Sequence, residues 1–484
     1  MYLGIDIGTS AVKAVVIAAD GSEIASRSEP LSLQTPKRNW SEQDPKAWWD
    51  ATCAACGKLR QDDPKSWQAV RAIGLSGQMH GAVLLDVDRQ VIRPAILWND
   101  GRSMAQCRQI EARLPEVGQL CGVPAMPGMT APKVLWVKEN EPENYRRIRH
   151  VLLPKDHVRL MMTGATATDM ADAAGTMWLD QKERRWSDLL CEVTATDPSW
   201  LPQCFEGTQP SGELTPEAAG ALGLTPGIIV AAGAGDAAAG AMGVGAIEDG
   251  DAFISLGTSG QLFVCSDRYQ PNPESVVHAF AHCVPERWST IAAMLNGASP
   301  MQWFASIANA DIDVLLAEAQ ALGEKRAPFF LPYLTGERTP HNNADIRGGF
   351  YGMETATDRG AMMRAVVDAI AYSFCDARDA IKAAGREIVL PAAIGGGSRS
   401  DFVLQTMSDA LGLPIQRYEG AQTGPALGVA RLAMVACGDV SLGDAAVKPG
   451  IDRVFEPDPG KADRHAARLA TYRALYKALE PIDL

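Results

Sequence analysis

Asp6 and Asp236 are the side chains best suited to chemistry. Asp6 lies at the end of an apolar run, YLGIDI, just before Gly8-Thr9-Ser10. A carboxylate there repels a phosphate unless a cation stands between them. Mg²⁺, which keeps several of its waters, is such a cation. An Asp that merely hydrogen-bonds its own turn is the alternative, and the small-residue tip that follows favours the metal-side role. Asp236 lies in Gly233-Ala234-Gly235-Asp236-Ala237-Ala238, past a strand-like run and at the start of a helix-like one. Its small neighbours leave room for a substrate. Phosphoryl transfer asks the protein for positioning, charge neutralisation and a proton acceptor for the attacking hydroxyl, and Asp can accept that proton. A helix N-cap accounts for Asp236 equally well.

The Gly-Thr-Ser string returns as Gly257-Thr258-Ser259 inside SLGTSG. Both copies join one apolar run to another, so the chain carries a duplicated hairpin about half its length apart. A tip of Gly, Thr and Ser offers backbone N–H groups and hydroxyls without bulk, and two such tips could hold a nucleotide's phosphates. Gly395-Gly396-Gly397 follows another strand-like run and precedes a helix, a setting that lets a nucleotide approach closely. Gln78-Met79-His80 and Trp98-Asn99-Asp100 fall at strand ends, where α/β proteins place ligands. Met, His, Trp, Asn and Asp together offer the polar groups and flat apolar surface that a polyol needs.

These residues must be held by strands and helices in alternation. YLGIDI and VKAVVIAA read as strands around the first tip, with Asp20-Gly21 turning into a third. Residues 45–60 read as a helix, 72–77, 81–87 and 94–100 as strands, and 103–187 as mostly helical. Residues 209–227 are rich in Pro and Gly and read as a connection. Residues 228–247 read as strand, glycine turn and helix. AFISL, QLFVCS and STIAAML repeat the strand pattern. Residues 361–384 and 463–480 read as helices, IVLPAAI (388–394) as a strand, and Ser400 as the cap of a further helix. The sum is an α/β chain of two related domains.

Composition narrows the classes. A length of 484 residues implies two to three domains at roughly 150 residues each. A net charge of −13 argues against nucleic acid, which needs a basic footprint. No apolar run is long enough for a membrane span, and the first residues do not read as an export signal. Ten scattered cysteines fit a reducing cytoplasm, and Cys53 and Cys56, a lone CxxC, read as helix thiols. No GxxxxGK[ST] string occurs, which excludes a P-loop ATPase. GAGDAA also satisfies a GxGxxA dinucleotide fingerprint, so an NAD-dependent oxidoreductase is a rival. That reading leaves the repeated tip unexplained. An ATPase switch of actin or chaperone type is a second rival, disfavoured by the polyol strings.

The chain resembles the FGGY carbohydrate kinases along essentially its whole length. The resemblance rests on YLGIDIGTS (2–10), WSEQDPKAWW (40–49), GLSGQMHG (74–81), PAILWNDGR (94–102), MTAPKVLWVKEN (129–140), LLPKDHVRL (152–160), DAAGTMWLD (172–180), SLGTSG (255–260), LPYLTGERTPHNN (331–343) and IGGGSRS (394–400). It implies two duplicated ribonuclease-H-like domains of the actin/hexokinase type flanking a cleft, residues 1–236 on the sugar side and 237–484 on the nucleotide side. It implies ATP and Mg²⁺ as cofactors, Asp236 as catalytic base and Asp6 as the metal-side carboxylate. Met79 and His80 would contact sugar, with Trp98, Asn99 and Asp100 beside them. Thr9, Gly257, Thr258, Ser259, Gly395, Gly396 and Gly397 would contact nucleotide. QMHG and LTGERTPHNN are most similar to the branch acting on D-xylulose. Ala237 departs from the Asn expected after the base, and ribulose, gluconate, fuculose and glycerol stand as alternative substrates. A cytoplasmic enzyme, with a homodimer as one assembly to test, completes the expectation.

Overall fold

The computed structural model describes residues 1–323, 327–419 and 424–482. The first hairpin pairs β1 (Tyr2–Ile7) with β2 (Ala11–Ile17), and β2 continues to β3 (Glu23–Pro30). The helix α1 (Pro45–Asp62) opens with Pro, and the Asp44 carboxylate caps it by accepting the Lys46 N–H. Its buried stripe, Trp48, Ala51, Thr52, Ala55, Cys56 and Leu59, has helical spacing and packs on β2 and β3. β4 (Ala72–Gly77) lies parallel to β1. After α2 (Pro154–Thr163) come β5 (Pro210–Glu213), β6 (Ile229–Ala231), β7 (Ala234–Gly235) and α3 (Asp236–Gly243). The sheet order is β5-β6-β4-β1-β2-β3, with β7 extending the β6 side against β4.

The second sheet repeats this order. β8 (Ala252–Leu256) and β9 (Gly260–Ser266) form the second hairpin, joined by β10 (His278–Ala281) and β11 (Trp288–Met294). The long helix α4 (Arg359–Ala383) precedes β12 (Ala392–Ile394), α5 (Asp401–Leu411), β13 (Ile415–Tyr418), α6 (Pro425–Ala436), β14 (Ile451–Phe455) and α7 (Ala462–Leu479). Its order is β14-β13-β12-β8-β9-β11-β10. β8 lies antiparallel to β9 and parallel to β12, as β1 does to β2 and β4. An antiparallel edge strand closes each parallel side, β5 in one sheet and β14 in the other. Duplication is thus written in strand order as well as in the Gly-Thr-Ser tips.

Two contacts tie the halves together. Helix α6 lies on β1, β4 and α3. A Cβ at Gly428 would stand 1.8 Å from the Ala239 carbonyl oxygen, so α6 and α3 can touch only through a glycine. Residues 104–205 form a lobe that docks on the edge of the second sheet. The Ala279 N–H donates to Gly122 O at 2.8 Å, Ala281 N–H to Gln181 Oε1 at 2.8 Å, and Trp288 Nε1–H to Gln181 O at 2.6 Å.

Several local expectations are corrected. Residues 209–227 are no linker: they contain β5 and a helix, Pro216–Leu222, capped by Thr215 and stopped by Gly223 in the left-handed region. Their prolines and glycine mark element ends, and an edge strand tolerates Pro210. The strand expected over 94–100 pairs only at Ala95–Ile96, and that over 388–394 only at Ala392–Ile394. The 103–187 region interleaves helices with short strands such as His150–Leu152 and Ala167–Asp169. Among the described residues no helix is long and apolar enough to cross a membrane. The ten cysteines are free thiols; burial pushes Cys53 up to about 11 and Cys56 higher still.

Candidate active site

β1 and β7 flank β4 at the same level, Asp6 and Ala234 both lying opposite Ser76. Asp236 follows β7 as the first residue of α3. Gly235 occupies the N-cap position, so the carboxylate does not cap the helix in the usual way; among the described residues its Oδ1 accepts only the Ala237 N–H, at 2.8 Å. Its other oxygen is left for the cleft. Burial pushes the Asp236 carboxyl up to about 7, helped by the charge of Asp6, while Arg338 pulls it down. Burial likewise raises Asp6 to about 6, against the nearby Ser76 hydroxyl and Lys13. Asp6 Oδ1 is fully buried without a hydrogen-bond partner among the described residues. Two carboxylates lacking a cation, one with an orphaned oxygen, fit a Mg²⁺ ion that keeps most of its waters. No larger cluster of metal-binding side chains occurs among the described residues.

Asp236 faces a pocket, partly open to solvent, whose walls come from both halves. Met79, His80 and Trp98 line the first-half side. His80 sits at φ 71°, and its Nδ1 lies 2.7 Å from the Gly175 carbonyl oxygen. Burial holds its pKa down at about 3, so the ring is neutral. A neutral ring beside a carbonyl must donate from Nδ1, which leaves Nε2 as an acceptor for a hydroxyl. A Cβ at Gly175 would stand 2.4 Å from Nδ1, so only glycine fits there. The His80 carbonyl is clamped by Lys133 Nζ at 2.9 Å and Thr130 Oγ1 at 3.0 Å.

Trp98 is held by a polar relay beneath the first tip. Its Nε1–H donates to Thr9 Oγ1 at 2.9 Å, Thr9 donates to Gln78 Oε1 at 3.0 Å, and Gln78 Nε2 donates to Gln43 Oε1 at 2.9 Å. The Thr9 hydroxyl is therefore committed, and a phosphate at this tip would meet backbone N–H groups. The structure does not bring Asn99 and Asp100 to the pocket. Asn99 lines a separate surface hollow with Lys37 and Arg38. Asp100 is buried, accepting from the Ser41 N–H and pairing with Arg102, both at 2.6 Å.

The opposite wall carries residues that the motif reading passed over. Gln261, His278, Phe280, Ile291 and Ala293 share one face of β9, β10 and β11, with His278 opposite Ile291 and Gln261 opposite Ala293. Alternation along each strand puts them on that face. Burial lowers His278 to about 4, so it too is neutral. Arg338, from the loop between the strands Phe329–Leu331 and Gly349–Tyr351, completes the lining, and Ser259 reaches it from the second tip.

The second tip and the triple glycine meet. An ideal Cβ on Gly395, at φ 90°, would lie 3.1 Å from the Gly257 nitrogen and 2.8 Å from Leu256 O. The tip's carbonyls are taken up by Gly297 and Ala298, whose N–H groups donate to Thr258 O at 3.0 Å and Gly257 O at 2.7 Å. The triple glycine opens a short 3₁₀ turn, after which Ser400 caps α5.

Residues 1–243 match the N-terminal domain of the FGGY family of carbohydrate kinases, and residues 252–437 its C-terminal domain. The chain belongs to the FGGY family of carbohydrate kinases. It is therefore a sugar kinase using ATP, and the oxidoreductase and ATPase-switch readings fall away. It is 43% identical over 485 residues to a xylulose kinase of Escherichia coli, covering 100% of each chain. A crystal structure of a xyloylose kinase from Brucella ovis superposes with TM-score 0.93 at 43% identity, covering 99% of each chain. That of a gluconate kinase from Lactobacillus acidophilus superposes with TM-score 0.92 at 27% identity, covering 99% of this chain and 98% of the other. The fold is the two-domain, actin/hexokinase-like α/β fold of this family.

Proposed function

We propose that the protein transfers the γ-phosphoryl group of ATP to D-xylulose, giving D-xylulose 5-phosphate. The full-length 43% identity to a xylulose kinase carries the reading. The pocket supports it. His80 offers a neutral acceptor, Gln261 an amide, Met79 and Trp98 apolar surface, and Asp236 the base, all around one space. Glycerol, gluconate and other pentuloses are the competitors to exclude.

In this reading the terminal hydroxyl of the sugar lies against Asp236. The free oxygen of Asp236 accepts its proton late in the reaction, when bond formation makes the hydroxyl acidic. Asp6 and Asp236 would hold Mg²⁺ through water, and the ion, when bound, supplies positive charge to the phosphate oxygens. Gly257, Thr258 and Ser259 bind the phosphates from one side, Gly395, Gly396 and Gly397 shape the nucleotide's seat, and the first tip contributes backbone at Thr9. Residues 1–236 and 237–484 form the two domains, with helix α6 reaching back across the boundary. A homodimer in the cytoplasm is the assembly to be tested by light scattering.

ADP release across a sugar panel tests the substrate. D-xylulose should give the highest kcat/KM. A clear win for glycerol or gluconate would overturn the assignment.

A further inference from the structure

We propose that Arg338 is a catalytic residue that pairs with the phosphoryl group as it passes from nucleotide to sugar; the proposal rests on the sugar-kinase reading above. Among the described residues lining the pocket, only Arg338 carries a fixed positive charge, since both lining histidines are held neutral. Its Nε is buried without a hydrogen-bond partner among the described residues. Its guanidinium stands 5.2 Å from the centroid of the Trp98 ring, on the pocket side.

The neighbouring carboxylate is not its partner by design. Glu337 accepts from the Leu295 N–H at 2.5 Å, from its neighbour's own backbone N–H at 2.8 Å and from Asn296 Nδ2 at 3.2 Å. These bonds anchor the loop and leave the guanidinium for something else. They also place it. Asn296 Nδ2 donates to Gly336 O at 2.8 Å, the next residue, Gly297, is bonded to Thr258, and Thr339 N–H donates to Ala293 O at 3.1 Å. The 336–339 segment is thus fastened to the end of β11 beside the second phosphate tip. The charges facing Arg338 are Glu337, already engaged, and Asp236. Arg338 lines the same pocket as Ser259 of the tip that would hold the phosphates and the Asp236 carboxylate that would take the hydroxyl proton.

A cation there meets a need of the reaction. Charge spreads over the equatorial oxygens of the transferring phosphoryl group, and a positioned guanidinium matches them with a planar fork of donors. A stack on Trp98 keeps the fork oriented while no phosphate is present. The transfer breaks the bond from the β–γ bridging oxygen to the γ-phosphorus and forms one from the sugar oxygen to the same phosphorus. The proton goes to Asp236, and Arg338 forms and breaks no covalent bond.

The test compares wild type, Arg338→Met and Arg338→Gln, measuring kcat, calorimetric sugar affinity and melting temperature. A second readout is the affinity of ADP with fluoroaluminate and sugar, against ADP alone. The expected result is a fall in kcat of about 10²–10³-fold, the usual cost of one charge-stabilising donor. Sugar affinity should stay within threefold, and tightening by fluoroaluminate should be lost. Arg338→Lys should recover part of the rate, since it keeps the charge and not the fork. A kcat within threefold of wild type overturns the proposal. So does an unchanged kcat with weakened sugar, which would make Arg338 a sugar contact only. Should Arg338→Met fail to fold, Arg338→Gln, which retains polarity and hydrogen bonding, decides the matter. A wild type that turns over a different sugar overturns the substrate and leaves Arg338 to be judged on that sugar. A wild type that turns over none overturns both.

Discussion

Lys155 lies within 3.0 Å of three carboxylates, Asp156, Asp169 and Asp172, and none of the four side chains reaches solvent. Arg159 adds a second cation at 3.5 Å from Asp156. In the cleft, Asp6 and Asp236 are placed beside each other with no ion pair among the described residues. Both regions remove carboxylates from water, and burial raises Asp169 and Asp172 as it raises the cleft pair. Among the described residues, the regions differ in that only the first holds cations in contact with its carboxylates. Burial pushes Lys155 down, but its carboxylates, Asp156 foremost, outweigh this and hold it above the ordinary lysine range. Burial raises Asp6 and Asp236, and Lys13 and Arg338 act on them only in part. The first cluster supplies its own counter-charge and serves structure. The second lacks one, and a bound cation and phosphate would complete it.

The two regions are mechanically linked. The Asp169 carboxylate accepts from the Ala171 and Asp172 N–H groups, starting the short helix Met170–Ala173. That helix runs into Gly175, whose carbonyl fixes the His80 ring. The internally paired cluster is therefore the footing of the pocket wall that carries His80.

The largest effect is expected from breaking the closed cluster. Lys155→Met would leave buried carboxylates unpaired and should cost about 3–5 kcal/mol. Denaturant titration would show it; a midpoint equal to wild type would erase the contrast between the regions. His80→Ala should raise the sugar KM about 3–10-fold, the worth of one neutral hydrogen bond, with the ATP KM unchanged. Gly175→Ala should weaken sugar in the same way without touching a sugar atom, because its methyl collides with the imidazole. An unchanged sugar KM would release His80 from its role. Asn99→Ala marks the small end. Its side chain lies off the pocket, so kinetics within twofold of wild type are expected, and a larger loss would restore it as a contact.

The parts legible in the sequence were those written locally. Each Gly-Thr-Ser tip joins two apolar runs, and both hairpins form there. Met79, His80 and Trp98 were legible as strand-end residues. Trp98-Asn99-Asp100 misled because successive residues diverge: Trp98 enters the pocket, Asn99 leaves it, and Asp100 turns back to Arg102. His278, Phe280, Ile291 and Ala293 read only as alternating strand residues. Their place on the pocket wall goes with the docking of the lobe through Gly122 and Gln181, contacts spanning a hundred residues or more. Arg338 lies within the LTGERTPHNN string, yet nothing local says that the adjacent Glu337 is engaged by Leu295 and Asn296. Residues 209–227 misled because their Pro and Gly punctuate short elements.

The central claim is that the cleft carboxylates are kept uncompensated for chemistry, and Asp236→Asn tests it most directly when rate and stability are measured on one preparation. The pKa of Asp236 is raised in the fold to about 7. A group so raised adds stability at pH below its unfolded value and loses it as pH rises through about 7, so at pH 8 the ionised form is a burden. Asn keeps the acceptor for the Ala237 N–H and removes the charge. The variant's kcat should be lower by about 10²–10⁴-fold. Sugar affinity should be unchanged and, at pH 8 without ligands, the melting temperature higher by about 2–4 °C. A near-normal kcat, or a melting temperature that falls while sugar still binds, would contradict the claim.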